Sequence, residues 1–242
     1  MNLRQSMAGL AMLLGAATVN AQSLSLSNFY VTTGWFHIAP QSGSQPIRET
    51  NFAGLPVNIE LPGSAASLND ADTLGFTAGY FLTEHIAAEF VLGAPPKFDL
   101  DGAASLSQFG KLGEARQWSP TLLLKYYFNL RQSKLRPYLG IGVSRIWFTD
   151  AKITNGEFEQ DILHGPTSVY TNSAWAPVFN AGLNYNITNH WFASASLSYL
   201  PFSVTAKLRT TASSQFGPLV VQSQTRIKVN SIVSYVSVGY RF

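Results

Sequence analysis

The end of the chain decides the fold: residues 226–242 read RIKVNSIVSYVSVGYRF. From Val236 onward, apolar residues alternate one by one with small or polar residues. Successive side chains of a β-strand point to opposite faces, so this pattern predicts a strand with one apolar and one polar face. The apolar face carries Val236, Val238, Tyr240 and Phe242, and the polar face carries Ser237, Gly239 and Arg241.

The same alternation recurs along the chain and predicts eight strands in all. No segment shows a sustained helical period, and no repeat of solenoid length is present. The predicted strands are Asn28–Ala39, Thr73–Thr83, Ile86–Gly93, Gln117–Asn129, Arg136–Thr149, Ala174–Ile187, Trp191–Lys207 and Arg226–Phe242.

Short and long connections alternate between these strands. Three are short turns, whereas residues 40–72, 94–116, 150–173 and 208–225 form long connections rich in Gly, Ser, Asn and Pro. This order predicts an all-β fold, an eight-stranded antiparallel up-and-down barrel with long loops at one end, as in transmembrane barrels. A soluble barrel of the lipocalin type also has eight strands and is the alternative.

The composition of the strands favours the membrane barrel. Only 12% of the residues are charged, against about 25% in an average soluble domain. The polar faces consist mainly of Ser, Asn and Gly, which suit a narrow interior, and they carry almost none of the Lys and Glu that a water-facing surface would carry. Aromatic residues lie near strand ends, where membrane interfaces place them. We therefore predict a transmembrane barrel of the bacterial outer membrane, with long extracellular loops and short periplasmic turns.

The first 21 residues have the three parts of a secretory signal peptide. Arg4 supplies a positive charge, residues 7–19 are apolar or small, and small residues follow around Ala21. The sequence thus predicts a signal peptide at residues 1–21 and an outer-membrane barrel at residues 22–242. No later run of 18 apolar residues exists, so helical membrane spans are excluded.

Several function classes find no support in the sequence. The absence of Cys rules out disulfides and thiolate metal sites, and a formal charge of +3 is too small to indicate nucleic-acid binding. No nucleophile-elbow, zinc-protease or phosphate-loop motif occurs. The prediction is therefore a protein that is not an enzyme, with no catalytic residues, no metal site and no cofactor.

Few charges lie within the predicted strands. A charge on a lipid-facing side is costly, so Glu89, Lys125 and Arg145 are expected to face the lumen, with Glu89 paired to Lys125 or Arg145. The register of the fifth strand stays open, however. If Arg145 points inward, so do Leu139, Ile141, Val143 and Trp147. The opposite register places Tyr138, Ile146 and Phe148 inside. Either register brings apolar bulk into the lumen, as interior packing or as the lining of an apolar conduit.

The third strand ends at Gly93-Ala94-Pro95-Pro96. Proline has no N–H, so Pro95 and Pro96 cannot donate ladder hydrogen bonds to a neighbouring strand. Such unpaired backbone is costly where it faces lipid and tolerable where the wall lines a cavity. The pair predicts either a lateral opening of the barrel or an ordinary strand end followed by a loop.

Three stretches carry a resemblance to a known family. Residues 80–89 read YFLTEHIAAE and run into PPKF at 95–98, and residues 119–122 read SPTL, before YYF at 126–128 and RPYLGIG at 136–142. Residues 181–185 read AGLNY and precede the turn NHW at 189–191. In order and spacing these stretches resemble the OmpW family of outer-membrane proteins (OmpW/AlkL-like). Two positions depart from the family pattern, Lys97-Phe98 and His37-Ile38-Ala39-Pro40.

The resemblance implies a narrow, largely hydrophobic channel that takes up small apolar molecules and releases them sideways through the barrel wall. It implies a lateral exit at Pro95 and Pro96. It also implies a pore constriction at Val91 and Trp175. Val91 shares its face with Glu89, but Trp175 shares the face of outward residues unless a bulge intervenes near Pro177.

The resemblance also implies partners. These are outer-membrane lipid, small hydrophobic solutes and, during biogenesis, periplasmic chaperones and the barrel-assembly machinery. The last strand, with Tyr240 and Phe242, resembles the assembly signal of outer-membrane proteins. The alternative function is a non-conducting surface barrel whose long loops serve adhesion, stress protection or recognition.

Overall fold

The computed structural model describes residues 25–214 and 217–242. The predicted signal peptide, residues 1–21, lies outside the described residues. Three short helical turns occur, at Leu26–Asn28, Ser107–Phe109 and Phe158–Ile162, and no helix in the described part is long and apolar enough to cross a membrane. The strands are β1 (Phe29–Ser44), β2 (Arg48–Phe52), β3 (Leu55–Glu60), β4 (Ser64–Leu68), β5 (Ala71–Phe81), β6 (Ile86–Gly93), β7 (Lys97–Ala104), β8 (Lys111–Trp118), β9 (Thr121–Tyr127), β10 (Leu135–Ile153), β11 (Thr167–Thr171), β12 (Ala174–Asn186), β13 (Trp191–Ser214) and β14 (Gly217–Arg241).

Eight of these strands form the barrel wall: β1, β5, β6, β9, β10, β12, β13 and β14. Each pairs antiparallel with the next along the chain. The last strand, β14, returns to pair with β1 from Tyr30↔Arg241 to Ser44↔Ile227, which closes the sheet. Closure removes the free edges that lipid could not satisfy. The predicted eight-stranded up-and-down barrel is confirmed.

The segments predicted as long loops contain further strands, which is a correction to the sequence reading. Residues 40–72 include β2, β3 and β4, residues 94–116 include β7 and most of β8, and residues 150–173 include β11. The described residues of the fourth segment, 208–214 and 217–225, belong to β13 and β14. Above the membrane these strands no longer separate lipid from lumen, so stretches such as Ser64–Leu68 lack a clear alternation of apolar and polar residues. The predicted strand Gln117–Asn129 is also interrupted, because β8 ends at Trp118 and β9 begins at Thr121.

The two sides of the wall differ as predicted. Lipid-facing positions of β12, β13 and β14 carry exposed apolar side chains, and the inward positions of β12 and β14 include the buried Asn180, Asn184, Ser231 and Ser237. The fifth barrel strand, β10, adopts the second of its two registers: Ile141 is 64% exposed, whereas Tyr138 and Ile146 are buried inside the barrel.

Aromatic side chains fill the barrel at its periplasmic end. This aromatic plug consists of Tyr30, Phe81, Tyr127, Tyr138 and Phe192, all of which are 2% exposed or less. Inward glycines make room for the rings, since a Cβ atom at Gly79, Gly182 or Gly239 would collide with Tyr30, Tyr138 or Phe192 respectively. The guanidinium of Arg136 lies 4.3 Å from the Tyr127 ring centre and donates a hydrogen bond to the carbonyl of Glu84 at 3.0 Å.

The extracellular end carries an ordered dome. It consists of β2, β3, β4, β7, β8 and β11, together with the upper ends of β10, β13 and β14. The β2–β3 hairpin pairs with β14, and β4, β7 and β8 extend the sheet from β10. The dome has its own apolar core, made of Ile47, Leu106, Leu112, Phe158, Leu163 and Leu208.

Glu114 holds the β7–β8 side of the dome together. Its carboxylate accepts hydrogen bonds or ion pairs from Lys97 at 2.7 Å, Lys111 at 3.0 Å and Lys152 at 3.2 Å. These three ammonium groups lower the pKa of Glu114 to about 2.

This lowered pKa gives the dome a defined pH dependence. The stabilisation by Glu114 is complete above the pKa that the group has in the unfolded chain, about 4.3. It is lost as the pH falls from there through about 2. We expect Glu114→Gln to speed amide hydrogen exchange in β7 and β8 at pH 7, and the difference from wild type to shrink towards pH 2 after correction for intrinsic exchange. A difference that is the same at both pH values would contradict this role of the carboxylate.

Candidate functional site

An open cavity lies inside the barrel between the aromatic plug and the dome. Together with the solvent at its open mouth, its empty space amounts to about 790 Å³. Its apolar lining includes Phe36, Ile38, Val91, Leu123 and Phe202, and its polar lining consists mainly of Ser, Thr and Asn side chains. We call this cavity the chamber. Its apolar lining and few charges suit an uncharged, apolar guest.

A buried ion pair forms the floor of the chamber. The Lys125 ammonium lies 2.6 Å from Oε1 of Glu89, and the Tyr30 hydroxyl donates to Oε2 of the same carboxylate at 2.7 Å. The two charged side chains are 7% and 4% exposed. The structure therefore places Glu89 and Lys125 together in the lumen, where each neutralises the other. Below them the aromatic plug separates the chamber from the periplasmic turns.

The third predicted lumen charge, Arg145, lies on the outside of the barrel, so that prediction is wrong. Ile146 is fully buried inside, and the regular alternation of β10 therefore turns Arg145 towards the membrane. Its guanidinium lies 5.7 Å from the ring centre of Trp175 on β12. A long cationic side chain near the end of the wall can reach the headgroup region, which reduces the cost of this position.

The two residues predicted for the constriction take different positions. Val91 faces the chamber and packs against its apolar lining. Trp175 is 67% exposed on the lipid side, so it does not contribute to a constriction. The reason is the unbroken register between β12 and β10, which runs from Ile146↔Ala174 to Leu135↔Tyr185 without the bulge that would turn Trp175 inward.

The barrel wall is interrupted beside the chamber. The ladder between β6 and β9 ends at Val91↔Thr121, and the ladder between β7 and β8 begins at Lys97↔Arg116. Between them the N–H of Gln117 donates to the carbonyl of Pro96 at 3.0 Å. We call this interruption, formed by residues 92–95 on one side and 118–120 on the other, the wall break.

Both edges of the wall break contribute to the lining of the chamber. Gly93 lines it from one edge and Ser119 from the other, and Pro96 and Gln117, whose hydrogen bond bounds the wall break, also line it. Pro120 also lacks an N–H, so prolines stand on both edges of the interruption. The sequence reading identified Pro95 and Pro96 but placed Pro120 inside a continuous strand. The signal that could have corrected this was the proline itself, because proline is disfavoured within a central strand.

Tyr240 and Phe242 lie at the periplasmic end of β14. The Tyr240 ring packs edge-on against Trp191 and Phe242, with ring centres 5.1 and 5.2 Å apart. The N–H of Phe242 donates to the carbonyl of Phe29 at 3.1 Å, so the last residue takes part in closing the barrel.

Comparison with known proteins gives consistent matches. A family model described as "OmpW family" matches residues 27–242. The chain is 30% identical to outer membrane protein AlkL of Ectopseudomonas oleovorans, over 75% of this chain and 71% of the relative. It is 27% identical to outer membrane protein W of Vibrio cholerae, over 99% of this chain and 100% of the relative. The crystal structure of OprG from Pseudomonas aeruginosa shares the fold, with a TM-score of 0.75 and 23% identity over 88% of this chain and 95% of that one.

Proposed function

Because the chain belongs to the OmpW family of outer-membrane barrels, we propose that it is a channel for small hydrophobic molecules. A solute enters from the extracellular side, occupies the chamber and leaves sideways into the membrane through the wall break. The role is passage of a solute rather than catalysis.

The observation that carries this proposal is that both edges of the wall break line the chamber. In lipid, backbone groups without partners cost several kcal/mol each, so an interrupted ladder is tolerated only where it lines a cavity. Prolines at the break reduce this cost because they have no N–H to satisfy. The wall break is thus a place where a solute can pass between strands with little loss of hydrogen bonding.

The filled periplasmic end supports a lateral route over an axial one. To reach the periplasm along the barrel axis, a solute would have to displace the Glu89–Lys125 pair and then the aromatic plug. Contact with charged groups does not stabilise an apolar molecule, whereas its free energy falls when it moves into lipid. Sideways release is therefore the favourable exit for an apolar guest.

The test is uptake of a graded series of n-alkanes and of small polar solutes by cells with and without this protein. We expect the protein to speed alkane uptake in a manner that depends on chain length and to leave uptake of the polar solutes unchanged. Equal alkane uptake by both cell types would refute the channel.

Enlarging Val91 tests whether it narrows the route. Val91→Trp places a large ring in the chamber just below the wall break, so alkane uptake is expected to fall several-fold while the folded yield stays at the wild-type level. The matched control is Val143→Trp, which adds the same ring to a lipid-facing position of β10. Unchanged uptake by a folded Val91→Trp protein would remove Val91 from the route.

The alternative is a non-conducting surface barrel, and the ordered dome is the observation that favours it. A loop region with its own apolar core can present a fixed surface for adhesion, stress protection or recognition. If alkane uptake is equal with and without the protein, this alternative becomes the preferred function.

We further propose the steps that bring the chain to its membrane. Residues 1–21 act as a signal peptide, and Tyr240 and Phe242 are part of the signal by which periplasmic chaperones and the barrel-assembly machinery receive the chain. The apolar outer face of the terminal strand, which ends in Phe242, supports this role.

A further inference from the structure

One face of the extracellular end carries four cations that have no ion-pair partner among the described residues. They point outward from the hairpin formed by β13 and β14, and all four are exposed. Hydroxyl and amide side chains stand opposite them: Ser203 faces Lys228, Thr205 faces Arg226, and Gln224 faces Lys207. The four cations are Lys207, Arg209, Arg226 and Lys228, and we call this surface the basic face.

The cations on the opposite side of the dome are neutralised. Lys97, Lys111 and Lys152 surround Glu114, and Arg116 lies 3.6 Å from Asp150. Apart from Arg145 on the outer wall of β10, the cations of the extracellular half that lack an ion-pair partner among the described residues therefore cluster on the basic face. Clustered cations create a positive potential at the surface, and this potential attracts a multiply charged anion.

The height of the basic face identifies the kind of anion. Along β14 and β13 the outward apolar positions end at the pair Ile232↔Tyr199. Lys228 follows four residues beyond Ile232, which corresponds to about 13 Å along the strand. Arg226 lies six residues beyond Ile232, and Lys207 and Arg209 lie eight and ten residues beyond Tyr199, which corresponds to about 20, 26 and 33 Å along the strands. Because the strands of such barrels are tilted, Lys228 lies just above the hydrocarbon region, at the level of lipid headgroups, and the other three cations follow above it.

A polar groove lies directly beside these cations. It forms where β2 departs from β14, has an empty volume of about 860 Å³, and contains Arg226, Gln224 and Thr205. Arg48 also lines the groove, but its guanidinium is paired with Glu60. The groove is large enough for a sugar headgroup, and its hydroxyl and amide groups are donors that suit sugar and phosphate oxygens.

We propose that the basic face and its groove form a binding site for lipid A, the phosphorylated glycolipid of the outer leaflet. Lys228 and Arg226, the two cations nearest the membrane, pair with its phosphates, and Lys207 and Arg209 add positive charge above them. The groove receives the adjoining sugar. The acyl chains then lie along the apolar wall below. Basic clusters at the membrane surface bind anionic headgroups in this manner. This site is independent of the chamber, so it stands whether or not the barrel conducts solutes.

The test is a binding measurement on the mature chain folded in a neutral detergent. Native mass spectrometry would give apparent affinities for bisphosphorylated lipid A, for dephosphorylated lipid A and for phosphatidylglycerol. Replacing Lys207, Arg209, Arg226 and Lys228 together by Gln is expected to weaken binding of bisphosphorylated lipid A roughly tenfold or more, since each cation near an anionic lipid surface contributes. The matched control replaces the four cations of the opposite side by Gln: Lys97, Lys111, Arg116 and Lys152.

The proposal predicts tight binding that requires the phosphates, that is lost in the first variant and that is retained in the control, with both variants folded as judged by the gel shift on heating. Equal binding of dephosphorylated lipid A, equal binding of phosphatidylglycerol, or equal loss in the control would each overturn it. A folded first variant that keeps wild-type affinity would also overturn it.

Discussion

Replacing Lys125 with methionine is expected to lower the free energy of unfolding of the barrel by about 3–5 kcal/mol. The substitution leaves the Glu89 carboxylate buried at the floor of the chamber without its ammonium partner, which lies 2.6 Å away in the wild type. The hydrogen bond from Tyr30 remains, but a hydroxyl cannot neutralise the charge. Urea unfolding in lipid vesicles, followed by tryptophan fluorescence, measures the change.

The controls for this prediction come from the chain itself. The double variant Glu89→Gln with Lys125→Met removes both charges and should recover much of the lost stability, since a neutral pair leaves no isolated charge. Arg48→Met breaks the exposed Arg48–Glu60 pair of the dome and should cost less than about 1 kcal/mol. A loss of similar size for Lys125→Met and Arg48→Met would show that burial of the pair is unimportant.

Replacing Pro95 and Pro96 together by valine is expected to reduce alkane uptake to near the rate of cells that lack the protein. Each valine adds a backbone N–H at the wall break and has a high preference for strands, so the new donors can extend the ladder towards Ser119. Closing the break removes the lateral exit but leaves the chamber and the aromatic plug as they were. The heat-dependent gel shift that reports a folded barrel should therefore be unchanged.

Pro177→Val is the matched control for this prediction. Pro177 lies in the wall opposite Val143, where the ladder between β10 and β12 is continuous, so its replacement should leave uptake unaffected. If the Pro95/Pro96 variant folds and its uptake matches wild type, the solute does not leave through the wall break.

Much of the barrel could be predicted because two environments impose a strict period of two. Lipid on one side and a narrow lumen on the other select apolar and small polar residues in turn, and in Val236–Phe242 this selection is plain. Above the membrane that selection ends, so the sequence pattern predicted loops where the dome has strands. The chamber floor was also predicted, because charged residues within barrel strands have few places other than the lumen.

The errors at the site have physical reasons. In β10 both faces carry apolar residues, as Ile141 and Ile146 illustrate, so the pattern could not fix which side faced inward, and Arg145 was assigned to the wrong one. Trp175 was assigned by its resemblance to a family position, although the alternation of its own strand indicated lipid. Pro120 signalled that its strand is interrupted, but only the register shows that this interruption lies across from residues 92–95.

The separate core of the dome gives the molecule two kinds of thermodynamic behaviour. In the dome, residues such as Ile47, Leu112 and Phe158 are removed from water on folding, so their exposure raises the heat capacity and their contribution weakens on cooling. In the wall, side chains such as Ile141 exchange water for lipid, and that gain depends on the bilayer. Cooling therefore destabilises the dome while the bilayer still stabilises the wall. A change of lipid alters the stability of the wall but leaves the heat capacity change for unfolding the dome unchanged.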